Sequence, residues 1–199
     1  RKDITHYRAL DPADWLKREG HIAPLPFDLD GSKKMVLVRL EETYAPYMIG
    51  KDRSWTERVL QRLRTDLKGA NVVVLCRYED QLRAIRERFG ESFIVPDKVV
   101  DGYSLLLRSD VFVGMGGTMT TESALVGVPT VSAFQGSELL TEKFLISKGL
   151  LSKARDLNHL SRVVRAYLDR EVRDEFRRRG KKLLDSMEDP IKKIASYLM

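Results

Sequence analysis

Cysteine is nearly absent from this sequence: Cys76 stands alone among 199 residues, which excludes an internal disulfide framework or a cysteine-based zinc site. It closes the apolar run Asn71-Val72-Val73-Val74-Leu75, so it reads as a small buried hydrophobe in a chain suited to a reducing, cytoplasmic compartment. Histidine is scarce too. His6, His21 and His159 are too scattered to form a metal site, and none is placed to activate a serine. Ser104, Ser109, Asp110 and Ser132 therefore read as caps and strand-end polar groups, which leaves a serine hydrolase without support. No apolar stretch approaches the ~20 residues that span a bilayer, and no signal-peptide core follows Arg1-Lys2-Asp3-Ile4, so a soluble chain is expected. Two nucleotide signatures are also missing. There is no Gly-x-Gly-x-x-Gly after the first strand and no Gly-Lys-Ser/Thr, which weakens NAD-binding and ATP-hydrolysing readings.

The rest of the composition is ordinary. Hydrophobic residues at 43% and charged residues at 32% can bury one sizeable α/β core, so the chain is expected to fold. A formal net charge of +6 favours anionic partners without distinguishing among them. Part of the excess falls in Arg170, Arg173, Arg177-Arg178-Arg179 and Lys181-Lys182, on a helical stretch. The simplest reading is a solvated helix face, the second a weak attraction to an anionic membrane or acceptor; nucleic acid is not an expected partner.

Residues 1–31 carry Pro12, Pro24 and Pro26 without a long period and read as a connector from an N-terminal domain that is missing here. From Met35 the pattern alternates. Apolar runs at Met35–Val38, Val72–Cys76, Phe93–Val95, Val111–Val113 and Thr130–Ala133 are separated by helix-periodic stretches at 55–67, 79–89, 103–108, 118–126 and 138–148, the last closed by Gly149. Nearly all-apolar strands between helices imply a parallel sheet covered on both faces. The expected fold is α/β, a Rossmann-like doubly wound sheet over 32–150. Strand signals fade over 151–199, where helices at 157–168, 171–187 and 191–198 form a C-terminal cap that packs on the sheet or crosses back to the missing half.

The most informative segment runs from Ser109 to Pro129, where a buried strand enters the pair Gly116-Gly117 and a helix starts at once at Thr118. In a parallel sheet that turn lies at the carboxyl edge, where ligands bind. The glycines let a diphosphate approach the backbone, and the first helix N–H groups point at it with the positive end of the dipole. Thr118 and Glu122 are one helical turn apart, so a phosphate at Thr118 puts Glu122 within reach of ribose hydroxyls. Met119, Ser123 and Val126 follow a neighbouring stripe that packs on the sheet. The plainer alternative is that the glycines only allow close strand-to-helix packing and Glu122 is a solvated charge.

The spacing from Gly116-Gly117 through Glu122 to Gly127-Val128-Pro129 and Phe134-Gln135 resembles the C-terminal nucleotide-sugar-binding domain of GT-B glycosyltransferases, including the lipid II-forming N-acetylglucosaminyltransferase. The Gly-Gly-Thr-Met-Thr turn, with Val38-Arg39 and Ala45-Pro46-Tyr47, is similar to an uncharacterised, mostly archaeal family of predicted glycosyltransferases. The likeness covers roughly Met35 to Leu150 and does not name a substrate. It implies one half of a GT-B fold, with the diphosphate on the backbone of Gly116, Gly117, Thr118 and Met119, and the ribose on Glu122. It also puts Gln135 near the donor sugar and the base at the backbone of Ile94 and Val95. The lipid II enzyme has a glycine-rich loop after the first strand of this domain; here Arg39-Leu40-Glu41-Glu42 stands instead, and Arg39 is expected either to supply positive charge to the phosphates or to pair with Glu41 or Glu42. Its Gln pair after Phe-Gln is replaced by Ser137-Glu138-Leu139-Leu140.

On this resemblance the chain is the donor-binding domain of a glycosyltransferase. Its expected substrate is a nucleotide-diphosphate sugar, UDP-linked by preference, with no cofactor or metal, and its expected acceptor is lipid-linked or a glycan. Catalytic residues are expected in the missing N-terminal half. The location is cytoplasmic, or peripheral at a membrane. A non-hydrolysing UDP-GlcNAc 2-epimerase-like enzyme is the alternative, although its helix motif carries adjacent glutamates where this chain has Thr120-Thr121-Glu122. A non-catalytic nucleotide- or nucleic-acid-binding module is the alternative of another class.

Overall fold

The computed structural model describes residue 4 and residues 6–18, 20–52 and 54–197. The opening Arg1-Lys2-Asp3 and Leu198, the expected end of the last helix, lie outside the described residues. Five strands, β1 (Met35–Arg39), β2 (Asn71–Leu75), β3 (Val111–Gly114), β4 (Thr130–Ser132) and β5 (Leu151–Lys153), form one sheet in the order β2-β1-β3-β4-β5. Every pairing is parallel. The helices are α1 (Ala13–Leu16), α2 (Trp55–Asp66), α3 (Glu79–Phe89), α4 (Gly102–Arg108), α5 (Thr118–Leu125), α6 (Leu140–Ser147), α7 (Leu157–Tyr167), α8 (Arg170–Ser186) and α9 (Pro190–Ala195).

The strands read as continuous apolar runs because both of their faces are covered. Val36 and Val38, Val72 and Val74, and Val111 and Val113 point to one core with Leu60 and Leu63 of α2, Ile85 of α3 and Leu160 of α7. Met35, Leu37, Val73 and Phe112 point to the opposite core with Leu105 and Leu106 of α4. This is period-2 alternation between two buried layers. Helix starts follow local chemistry, since Asp101, Asp156, Asp169 and Asp189 each cap the helix behind them with a side-chain oxygen on a backbone N–H.

Two elements differ from the sequence expectation. The apolar run at Phe93–Val95 makes only a parallel bridge from Ile94 to Val73 at the β2 edge, and Pro96 follows at once, a residue that cannot donate to a ladder. Conversely, the sheet continues past residue 150. β5 has three residues, only Leu151 of which is buried, too short a signal to read, and its pairing with Thr130–Ser132 makes it a strand. The opening segment is docked on the domain: Ala13 and Leu16 are buried with Leu125, Leu145 and Met187, the Arg8 N–H donates to the Glu188 carboxylate at 2.8 Å, and the Glu188 N–H donates to the Arg8 carbonyl at 3.1 Å.

The late basic residues are largely matched by carboxylates. Arg178 and Arg179 pair with Glu175, Arg177 with Asp174 and Lys181 with Asp185 along one helix, the pattern of a solvated face. Arg173 is different: it is buried and pairs with Asp110, whose other carboxylate oxygen accepts the Met35 N–H at 2.7 Å. Among the described residues no helix is long and apolar enough to cross a membrane.

Asp66 joins α2 to α7, with Arg62 at 2.6 Å and Arg165 at 2.7 Å. Burial raises its pKa, but hydrogen bonds from Ser161 and Arg62 and the charges of Arg165 and Arg62 outweigh it and hold the carboxyl below its usual range. A depressed folded pKa means stabilisation that is complete above the unfolded pKa of about 4 and is lost as pH falls through the folded value. Asp66→Asn is expected to lose roughly 1–3 kcal/mol at pH 7 by urea denaturation. The gap to wild type should close at acid pH; a gap unchanged from pH 7 to 3 would refute the assignment.

Candidate functional site

The chain order of the sheet reverses between β1 and β3, because β2 lies on one side of β1 and β4 and β5 lie beyond β3. Their connections leave on opposite faces, which opens a crevice beyond the carboxyl ends of these two strands. Arg39 ends β1, and Gly114, at the same register, ends β3. The glycine turn therefore stands at the switch point of the sheet.

Gly116 and Gly117 have φ of 106° and 87°, values that L side chains rarely adopt. A Cβ on Gly116 would also meet the Phe134 ring at 3.3 Å. Gly117 is the N-cap of α5 and offers no side-chain cap to it. Gly117 and Thr118 are exposed while Thr120 and Thr121 behind them are buried. The helix thus presents its uncapped first turn to an open crevice, where its N–H groups and dipole favour an anion.

Two cavities share this turn. One, of about 380 Å³, is lined by Arg39, Arg77, Lys98, Gly116, Gly117, Thr118 and Met119 among others. The other, of about 440 Å³, lies on the far side of the same glycines against Leu10, Pro12, Tyr47, Phe134 and Leu139. The first is basic and the second is mainly apolar and aromatic. Tyr47 and Phe134 meet edge to face at 5.7 Å, and Lys153 Nζ lies 4.9 Å from the Phe134 ring centre.

The Arg39 guanidinium donates to the Cys76 carbonyl at 2.8 Å, which fixes it across the ends of β1 and β2. Burial, and then the nearby charge of Arg77, lower its pKa. Arg77 Nη1 pairs with Glu42 at 2.6 Å. Burial pushes the Cys76 thiol up to about 11, so it is a thiol at neutral pH and not a thiolate nucleophile.

Arg39, Gly116, Gly117, Thr118 and Met119 are brought together around one cavity. Glu122 follows one turn after Thr118 on α5 and is half-buried. Met119 and Val126 pack against the core beneath the sheet, and Ser123 shares a hydrogen bond of 2.8 Å with Thr130. Val95 is set apart from the cavity lining. Both backbone groups of Ile94 bond to β2, and the Val95 carbonyl accepts from Arg86 at 3.0 Å; the wall of the basic cavity begins at Pro96. Gln135 commits its amide to the backbone of Asp52, accepting at 3.1 Å and donating at 2.9 Å, so in this structure it tethers the loop before α2.

Arg77 and Lys98, which the sequence does not single out, line the basic cavity, and Phe134, named there only as part of a motif, lines the apolar one. Arg77 follows β2 directly, and a cation just after a parallel strand is the available signal. That signal becomes specific only with the strand order. The described residues hold no cluster of His, Cys, Asp and Glu suited to a metal. Ser104 accepts from the Ala23 N–H, Ser109 donates to the Leu105 carbonyl, and Ser132 bonds to Glu142, so these serines are structural.

Comparison with known proteins places this geometry. A family described as "Protein of unknown function (DUF354)" matches residues 19–198. A protein of Methanocaldococcus jannaschii, "Uncharacterized protein MJ0665", is 34% identical over 115 residues, 58% of this chain and 33% of that protein. The glycosyltransferase SnogD from Streptomyces nogalater matches with a TM-score of 0.60 at 20% identity, over 90% of this chain and 45% of its own. A UDP-N-acetylglucosamine 2-epimerase matches with a TM-score of 0.50 at 19% identity, over 80% of this chain and 39% of its own. The likeness to solved structures shows the fold, a Rossmann-like parallel α/β domain, and the chain spans less than half the length of these proteins.

Proposed function

The chain belongs to the DUF354 family, and from that premise we propose that it is the donor-binding half of a glycosyltransferase that moves a sugar from a nucleotide-diphosphate donor. The observation that carries this reading is the uncapped first turn of α5, standing at the switch point between a basic cavity and an apolar one. A diphosphate on the amides of Thr118 and Met119 would direct its nucleoside toward Pro96, Val100 and Met119, and its sugar toward Tyr47 and Phe134. Glu122 binds the ribose hydroxyls in this reading. As the bond to the sugar breaks, negative charge grows on the departing diphosphate, and preorganised N–H groups with Arg39 stabilise it without a metal. The base on the acceptor, and the acceptor itself, belong to an N-terminal domain that residues 1–31 connect to. Tyr47, Ile49 and Leu140, exposed near this edge, face that domain across the cleft. The acceptor is lipid-linked or a glycan, and the protein works in the cytoplasm or at a membrane surface.

Calorimetric titration with UDP-, GDP-, CDP- and dTDP-sugars tests the reading. At least one is expected to bind the full-length protein, and Glu122→Ala should weaken it by roughly 10- to 100-fold, the size of one charged hydrogen bond. If no member of the panel binds, the reading is wrong. The 2-epimerase alternative shares the fold; it predicts a C2 epimer from UDP-GlcNAc without acceptor, whereas the transferase predicts none.

A further inference from the structure

We infer that Arg77 is a second clamp on the diphosphate, with the Glu42 carboxylate holding its place while the site is empty, so that ligand binding exchanges one anion for another on the same guanidinium. This rests on the nucleotide-diphosphate reading above, and adds to it a residue and a preference for two linked phosphates over one.

Arg77 leaves the end of β2 and reaches past β1 toward the glycine turn. One guanidinium nitrogen, Nη1, pairs with Glu42 at 2.6 Å, while a Cβ built on Gly117 would lie 3.8 Å from the other, Nη2. The same side chain therefore touches its carboxylate and borders the first turn of α5. A guanidinium has five donors in a rigid fork, so a single carboxylate contact leaves capacity facing the crevice. Arg77 and Glu42 are both partly exposed, at 41% and 25%, so the pair can part without leaving a buried charge alone.

The charge around the cavity points the same way. Arg39, Arg77 and Lys98 line it, while Glu42 pairs with Arg77 and Glu122 stands one turn along α5 from Thr118, so cations outnumber carboxylates around the turn. The other nearby acids are engaged elsewhere: Glu41 accepts from Thr56 at 2.5 Å, and Asp97 lies by Arg86. The two arginines repel each other, and the effect is felt at Arg39. An anion between them removes that repulsion. One phosphate at the helix end can take the amides and one arginine; a second, linked phosphate is needed to engage Arg39 and Arg77 together. Glu42 competes with it, which lowers the affinity of the empty site and sharpens the preference for ligands with enough charge to displace it.

The test uses the full-length protein with inorganic pyrophosphate, inorganic phosphate, UDP and UMP in calorimetric titrations. Arg77→Ala is expected to weaken UDP and pyrophosphate by roughly 10- to 100-fold and UMP or phosphate by about 3-fold or less, the size of one charge-assisted contact. Arg77→Lys should recover part of the loss, and Glu42→Gln should tighten pyrophosphate by a few-fold. Thermal melts within about 2 °C of wild type confirm that the variants fold. If Arg77→Ala leaves the ratio of UDP to UMP affinity unchanged, or Glu42→Gln weakens pyrophosphate, the inference is overturned while the donor reading stands. Binding of pyrophosphate with these variant effects, but of no nucleotide, supports the anion clamp and overturns the donor reading. Wild-type protein that binds neither pyrophosphate nor nucleotide overturns both.

Discussion

Gly180→Ala is expected to destabilise the domain by about 3 kcal/mol, although glycine to alanine inside a helix ordinarily stabilises by about 1 kcal/mol. The sign reverses because α8 touches the turn after α5 backbone to backbone. A Cβ on Gly180 would lie 2.5 Å from the Cα of Gly127, 2.6 Å from its N and 3.0 Å from the Ala124 carbonyl. Gly127 itself has φ of 79°, and its own Cβ would meet the Arg177 Cα at 2.5 Å. No rotamer relieves contact with backbone, so α8 must shift away from α5, disturbing the packing of Phe176 with Leu125 and Leu145. For a domain of this size the melting temperature should fall by roughly 6–12 °C. Gly69→Ala, where a Cβ meets nothing within 4 Å, should stay within about 0.5 kcal/mol of wild type. A Gly180→Ala protein as stable as the parent would show that the helices are not packed this closely.

Gly117→Val should abolish binding at the proposed diphosphate site while leaving most of the fold. At φ of 87° a β-branched residue is a backbone outlier costing about 1–3 kcal/mol. Its methyl groups would also cover the first amides of α5. Losing two charge-assisted N–H contacts, each about 1.5–3 kcal/mol, predicts at least a 100-fold loss of affinity for the nucleotide-diphosphate sugar. Full-length protein is titrated beside a circular dichroism melt. Retained affinity in a folded Gly117→Val protein would mean that the ligand binds somewhere other than the helix end.

The predictions depend on features that were legible in the sequence to different degrees. The glycine turn was plain because strand, paired glycines and helix are consecutive, and local chemistry needs no partner to be recognised. The alternation of strands and helices was equally local. β5 was missed because three residues, one of them buried, carry no period; its identity comes from β4 beside it. The run at Phe93–Val95 looked like a strand by composition, but Pro96 and a single bridge leave it at the β2 edge. Gln135 shows a different limit, for a side chain placed near the donor sugar by resemblance has its amide bonded to the Asp52 backbone of another loop.

By itself the sequence determined the parallel α/β architecture and the strand–glycine–helix turn, since apolar periodicity and glycine placement act within a few residues of the chain. Only the tertiary structure decided the order β2-β1-β3-β4-β5, and with it the meeting of Arg39, Arg77 and Gly117 at one crevice. The reason is that strand order is set by how both faces of the sheet are covered, a property of the whole packed core. Two arginines 38 residues apart in the sequence become neighbours through hydrogen bonds that neither of their local sequences encodes.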